Sequence, residues 1–316
     1  MVKVDKCKNR LQHWSKTSFG NITKALNEKR NALKKAKTEA QRGSSYESVL
    51  SLKKEITELL ANEEKLWQQR SKAHWISSGD KNTAFFHRKA SQRFRQNQID
   101  GLRNQMGEMC FGENNVVNVI INYYQSLFTT SNPCEIEYVL QYVPQMVTNE
   151  MNTMLLAEFT KAKVDIALQQ MAPLKAPSPD GMPPIFYQHF WESIGDDVAK
   201  AVISCLNSRA IPASLNHTYI TLIPKVKSPE HVTEFRPIAL CNILYKLISK
   251  VLANRLKKIL LEIISESQSA FQFDKAISDN ILVAFETLHH MKKRRTGKTD
   301  FMTMKLDMSK AYDRVE

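Results

Sequence analysis

A chain of 316 residues has room for one large domain or two to three ordinary ones, and its 42% hydrophobic and 24% charged residues are ordinary for a protein with a buried core in water. Its apolar runs, such as ITLIP at 220–224, fall far short of the roughly 20 residues of a membrane-spanning helix, and MVKVDKCKNRLQ at the N-terminus has no apolar signal core. Five scattered cysteines (Cys7, Cys110, Cys134, Cys205, Cys241) form no CxxC or Cys/His cluster, so reduced thiols in an intracellular protein are expected rather than a disulfide framework or a zinc site.

The net charge of +13 is unevenly spread: residues 1–100 hold 22 Lys+Arg against 10 Asp+Glu, and residues 101–316 hold 23 against 22. A basic first third points either to a polyanion, nucleic acid first, or to a solvated helical face. Residues 9–42 contain no Pro and one Gly, with Ile22, Leu26 and Leu33 at spacings of four and seven, which predicts one basic helix with an apolar stripe. RGSSY at 42–46 is a turn, and a second helix is predicted from Tyr46 to His74, making an antiparallel helical hairpin. WISSGDKNTAFFHRKASQRFRQNQI comes next at 75–99, where Ser78, Gly79 and Asp80 supply loop and cap chemistry before another helix. Lys81, Arg88, Lys89, Arg93 and Arg95 are interleaved there with Phe85, Phe86 and Phe94. Cations neutralise phosphates, and aromatic rings stack on bases or pack a helix down. Core packing is assigned to Phe85 and Phe86, phosphate contact to Arg93 and Arg95, with Arg88 and Lys89 as further nucleic-acid candidates.

DGLRNQMGE at 100–108 reads as a polar turn, and the stretch from there to residue 172 as mostly helical, without recognisable chemistry. Thr160 is a candidate N-cap for a helix whose Val164, Leu168 and Met171 share a face and which must stop near Pro173. KAPSPDG at 175–181, with two Pro and one Gly, is a rigid turn. Tyr219–Ile223 and Phe235–Leu240 read as strands joined by a loop, and Ile243–Leu261 as a helix with Leu244, Leu247, Ile248, Val251, Leu252, Leu256 and Ile259 facing the core. Phe301–Leu306 reads as a buried strand ending at Asp307. A carboxylate there suits a metal ligand held by a fixed backbone, or belongs to a surface acidic loop after an edge strand.

KLDMSKAYDRVE at 305–316 resembles the first palm motif of reverse transcriptases, in the form carried by non-LTR retrotransposons (long interspersed elements), those of plants in particular. The resemblance implies that Asp307 binds two catalytic Mg2+ ions and that Tyr312 stacks under the incoming sugar. KAPSPDG is similar to the family's KAPGPDG fingers signature, with Ser178 in place of its first Gly. IPK at 223–225 and FRPI at 235–238 resemble family motifs that make Lys225 and Arg236 triphosphate contacts, with Lys227 competing for the lysine role. QSAF and DNILVAFE match as well, but Phe273, Asp274 and Lys275 stand where the family has Pro-Gly-Arg, which suggests a decayed copy. The segment at 75–99 is similar to one that would lie near template RNA.

The implied fold class is α+β, predominantly helical: a basic helical hairpin and linker over 1–100, a mainly helical pre-fingers and fingers region over 101–215, and the fingers hairpin and start of the palm of a right-hand polymerase over 216–316. The implied activity is RNA-directed DNA synthesis on an RNA template and DNA primer from deoxynucleoside triphosphates. One carboxylate does not hold two metal ions, and the family's later aromatic-x-Asp-Asp turn is not reached by Glu316. The expectation is therefore a polymerase truncated after the first palm motif and inactive alone. The other readings are a non-catalytic nucleic-acid-binding module and a remnant without a task. In the truncated reading the tail from 301 to 316 packs poorly.

Overall fold

The computed structural model describes residues 2–43, 45–71, 83–134, 136–175, 180–265, 267–268, 275–293 and 301–306. Among them the chain is predominantly helical, with two small antiparallel sheets, an α+β protein as the sequence predicts. It divides into two compact units, Met1–Ile120 with Ala176–Met182 and His217–Cys241, and Ile121–Lys175 with Pro183–Asn216 and Asn242–Glu316.

The first unit opens with α1 (Val2–Trp14), a wide π turn (Ser15–Phe19) and α2 (Ile22–Gln41). The single helix predicted over 9–42 is thus interrupted. Gly20 takes a φ of 52°, open to glycine without strain, and Asn21 caps α2 by accepting the Lys24 N–H at 3.2 Å. Helix α3 (Glu47–Ser71) folds back on α2, with Leu26 and Ala36 buried from one helix and Val49 and Ile56 from the other, and Lys29 paired with Glu55 at 2.6 Å. Helix α4 (Thr83–Gln96) packs on α3 and buries Phe86, while Phe85 is half-buried. Ser78, Gly79, Asp80 and Lys81 lie outside the described residues.

The polar turn predicted at 100–108 is instead a hairpin of β1 (Gly101–Arg103) and β2 (Met109–Phe111), with Leu102 opposite Cys110 and fully buried. The Asn104 side-chain oxygen accepts the N–H groups of Met106 and Glu108 at 2.9 and 3.0 Å, an Asx arrangement that closes the bend. Helix α5 (Glu113–Leu127) runs on into the second unit. Of KAPSPDG, residues 176–179, including Ser178, lie outside the described residues. Asp180 is buried and accepts the Met182 N–H at 3.1 Å around Gly181, whose φ of 75° is the glycine-favouring region a tight turn requires.

Strands β3 (Tyr219–Pro224) and β4 (Phe235–Leu240) pair antiparallel from Tyr219↔Leu240 to Pro224↔Phe235, at the predicted positions. Phe235 is fully buried, and Arg103 ties the loop between the strands to β1. Its N–H donates to the Glu230 carbonyl and its Nε to the Glu230 carboxylate, both at 2.7 Å.

The second unit holds α6 (Ile136–Leu140), α7 (Asn149–Leu156), α8 (Lys161–Gln169), α9 (Pro184–His189), α10 (Trp191–Ser208), α11 (Ala213–Asn216), α12 (Ile243–Leu256), α13 (Leu260–Ile263) and α14 (Ile277–Lys293). Its core is built where α8, α10 and α12 meet, from Val164, Leu168, Val202, Ile243, Leu247 and Val251, all nearly or wholly buried. Thr160 precedes α8 but its side chain makes no cap bond, while Trp191 Nε1 donates to Asp165 at 3.0 Å. The Gln188 amide closes the far end of α8 by donating to the carbonyls of Leu168 and Met171 at 3.0 and 2.9 Å. Helix α12 stops at Leu256, short of the predicted Leu261. In the turn that follows, Ile259 is buried as expected, whereas Leu252 and Leu256 are exposed, contrary to expectation.

The strand predicted at 301–306 is a further correction. These residues have no ladder partner among the described residues and are exposed, Leu306 at 85%. A strand needs a neighbour for its backbone N–H and C=O groups, so apolar composition alone does not make one here. Among the described residues no helix is long and apolar enough to cross a membrane.

Candidate nucleic-acid interface

Helix α3 ends with Trp67 and Arg70 three residues apart, and so on one face. The Arg70 guanidinium lies 5.1 Å from the Trp67 ring centroid, and the His87 ring of α4 lies 4.1 Å from the same indole at 47°. Arg93 donates Nη1 to the Ser71 carbonyl at 3.3 Å. A guanidinium there meets one of the carbonyls left over at a helix C-terminus and the negative end of its dipole. These contacts fix the end of α3 against α4.

Beside them, within the same unit, opens a groove of about 730 Å3. Its helical lining includes Trp67, Arg70, Arg93, Phe94 and Arg95, and its sheet lining is Thr221 and Ile223 of β3 with Ile238 and Leu240 of β4. The strand residues are those of one face: alternation selects 221 and 223, and the register sets Thr221 opposite Ile238. Among the described residues no carboxylate lines the groove, and Phe94 is 76% exposed. Permanently charged guanidinium groups, an exposed aromatic ring and an apolar floor are what an unpaired strand needs, because phosphates meet the cations and base faces meet the rings. A closed duplex hides those base faces.

Arg93 and Arg95 lie in the groove, whereas Arg88 and Lys89 are exposed on α4 and are not part of its lining. Arg236 stands opposite Ile223, two residues before Ile238 on the same strand face, and its side chain is exposed. The Lys225 ammonium donates across the loop to the Thr233 carbonyl at 3.0 Å, so this cation closes the loop. Glu234 braces the same loop, its carboxylate accepting the N–H groups of Glu230 and His231 at 2.8 and 3.1 Å. Those donors, His231 first, hold the Glu234 carboxyl below the usual glutamate range. Asp307 and Tyr312 lie outside the described residues. Among the described residues no three His, Cys, Asp or Glu side chains gather into a metal-binding group.

Sequence reasoning missed Trp67, Arg70 and the strand face. The first two carry a signal, an aromatic and a cation three apart in the last turns of a helix. The strand face carries none, since Thr, Ile, Ile and Leu read as ordinary sheet residues until α4 is set beside them.

Residues 223–316 match the family model described as reverse transcriptase (RNA-dependent DNA polymerase). The match begins within β3 and takes in β4, α12 and KLDMSKAYDRVE. Over 249 residues the chain is 27% identical to "Transposon TX1 uncharacterized 149 kDa protein" from Xenopus laevis, an alignment covering 78% of this chain and 19% of that protein. The chain thus spans about a fifth of the length of the curated relative it matches. A reverse transcriptase segment and homology to a transposon protein are therefore properties of the chain.

Proposed function

We propose that these 316 residues are the strand-gripping part of a non-LTR retrotransposon reverse transcriptase, of the plant type by its motifs, with RNA template, DNA primer and deoxynucleoside triphosphates as partners of the working polymerase. The reading is carried by the groove in which Arg70, Arg93, Arg95, Trp67 and Phe94 face one sheet surface of the β3–β4 hairpin. The reverse transcriptase match starting in that hairpin supports it. Arg70, Arg93 and Arg95 neutralise backbone phosphates, while Phe94 stacks on a base. Arg236, two residues from the groove floor along β4, offers its charge to a triphosphate.

Magnesium would supply the polarisation of a phosphoryl oxygen and the activation of a 3′-hydroxyl. Two ions need several carboxylates, and the palm motif offers Asp307. Gripping is accordingly the task assigned to the groove residues, and a share of metal binding in strand extension to Asp307.

The test is binding of a fluorescein-labelled 20-nucleotide RNA at two salt concentrations, run beside magnesium-dependent primer extension with an Asp307→Ala control. Salt-sensitive binding without extension is expected. Extension that disappears in the control would overturn the division of labour, and binding that ignores both salt and Arg93→Glu would overturn the groove.

A further inference from the structure

A second cavity, of about 350 Å3, lies wholly within the second unit, among the end of α7, the exposed side of α8 and the last turn of α12. Its apolar wall is Met154, Ile166 and Val251, and its cations are Lys163, Arg255 and the Lys257–Lys258 pair that follows α12. Among the described residues no carboxylate side chain lines it.

Arg255 is held in place rather than waving in solvent. Its Nη1 donates to the Leu155 carbonyl at 2.6 Å and its Nη2 to the Glu158 carbonyl at 3.4 Å, and its guanidinium carbon stands 3.5 Å from the Phe159 ring centroid. The Lys163 ammonium donates to the same Glu158 carbonyl. These carbonyls fix the two cations without cancelling their charge, so a pre-ordered positive site stands beside an apolar wall. A bare anion would leave that wall wet, and an apolar molecule would make no use of the cations. Gln170 and Asn254, also in the lining, add amide donors and acceptors able to meet the edge of a flat heterocycle.

We infer that this cavity binds a nucleotide, its phosphate against Arg255 and the lysines and its base over Met154 and Ile166, either as a free mononucleotide or as one unit of a strand. The site shares no residue with the groove of the first unit and stands without the reading given for it.

The test uses the whole 316-residue protein and the fluorescent probe mant-AMP, displaced in turn by AMP, adenosine, inorganic phosphate, a 12-nucleotide oligouridylate and polyglutamate. Lys258 and Ile166 both present surface to solvent, so Lys258→Glu and Ile166→Asp leave the fold intact. Each is expected to weaken mant-AMP binding about tenfold, whereas charge reversal at exposed Lys34 of α2 leaves it unchanged. AMP should displace the probe and adenosine or phosphate alone should not. Oligouridylate displacing at a lower nucleotide concentration than AMP would assign the site to a strand, and the reverse to a free nucleotide. Binding untouched by both variants, or phosphate displacing as well as AMP, would overturn the inference. So would stronger displacement by polyglutamate, which would mark the site as a dock for an acidic protein. RNA binding in the groove persists in Lys258→Glu, so failure of one site is told apart from failure of the other.

Discussion

Phe94 leaves most of its ring in water on a helix otherwise crowded with cations, although burying a phenylalanine is worth about 1.5–3 kcal/mol. Removing an exposed ring takes little from the fold, whereas one stacked base contributes about 1–3 kcal/mol to single-strand binding. Phe94→Ala is therefore expected to leave the melting temperature nearly unchanged and to weaken single-stranded RNA binding roughly tenfold or more, with little change for duplex; a filter-binding comparison of the two RNAs checks it. Leu247 is the opposite case, wholly buried on α12 between α8 and α10. Its truncation to alanine should cost about 2–5 kcal/mol through lost burial and a residual cavity, read as a lowered urea midpoint. Arg103 and Glu230 form a short but half-exposed ion pair, and such pairs contribute about 0–1 kcal/mol, so Arg103→Ala is expected to cost little through charge alone.

The β3–β4 hairpin depends on its loop, and the loop on Glu234. A carboxyl whose folded pKa is depressed stabilises fully above its unfolded value and loses that contribution as pH falls through the folded one. Protonated Glu234 no longer accepts strongly from Glu230 and His231. Amide exchange at those two residues should accelerate relative to the rest of the hairpin, after correction for intrinsic rates, as pH drops below the usual glutamate range; Glu234→Gln should show the faster exchange already at neutral pH. This hairpin was legible in the sequence because two short apolar-rich runs on either side of a Pro-bearing loop and the family motifs within them agreed on it, and α8 was legible because Val164, Leu168 and Met171 recur at helical spacing. The β1–β2 hairpin was not, since three-residue strands are too short for a period and Asn104 and Gly107 read simply as turn. The break at Gly20 had a signal, Ser, Thr, Gly and Asn crowded into SKTSFGN at 15–21, but the good helix formers that follow from Ile22 carried the reading across it. Phe301–Leu306 misled in the other direction, because strand composition predicts strand only where a neighbour exists to pair with.

At the scale of the whole molecule, the excess charge of the first hundred residues has a concrete outlet in the groove, but its position could not be read from charge counts. Trp67, Arg93 and Ile238 lie far apart in sequence, and only the folded unit brings their segments together. For single strands the logarithm of affinity falls with the logarithm of salt by about 0.7 per phosphate neutralised. The double variant Arg93→Ala, Arg95→Ala should therefore flatten that slope by about 1.4, a change visible by fluorescence anisotropy across a salt series. The first unit is also assembled from three stretches, the last ending at Cys241. A ribosome adding ~5–20 residues per second takes on the order of ten seconds to go from Ile120 to that point. Throughout that interval the basic helices are already made while the sheet wall of their groove is not. Newly made chains therefore present these cations before the facing wall of their groove exists.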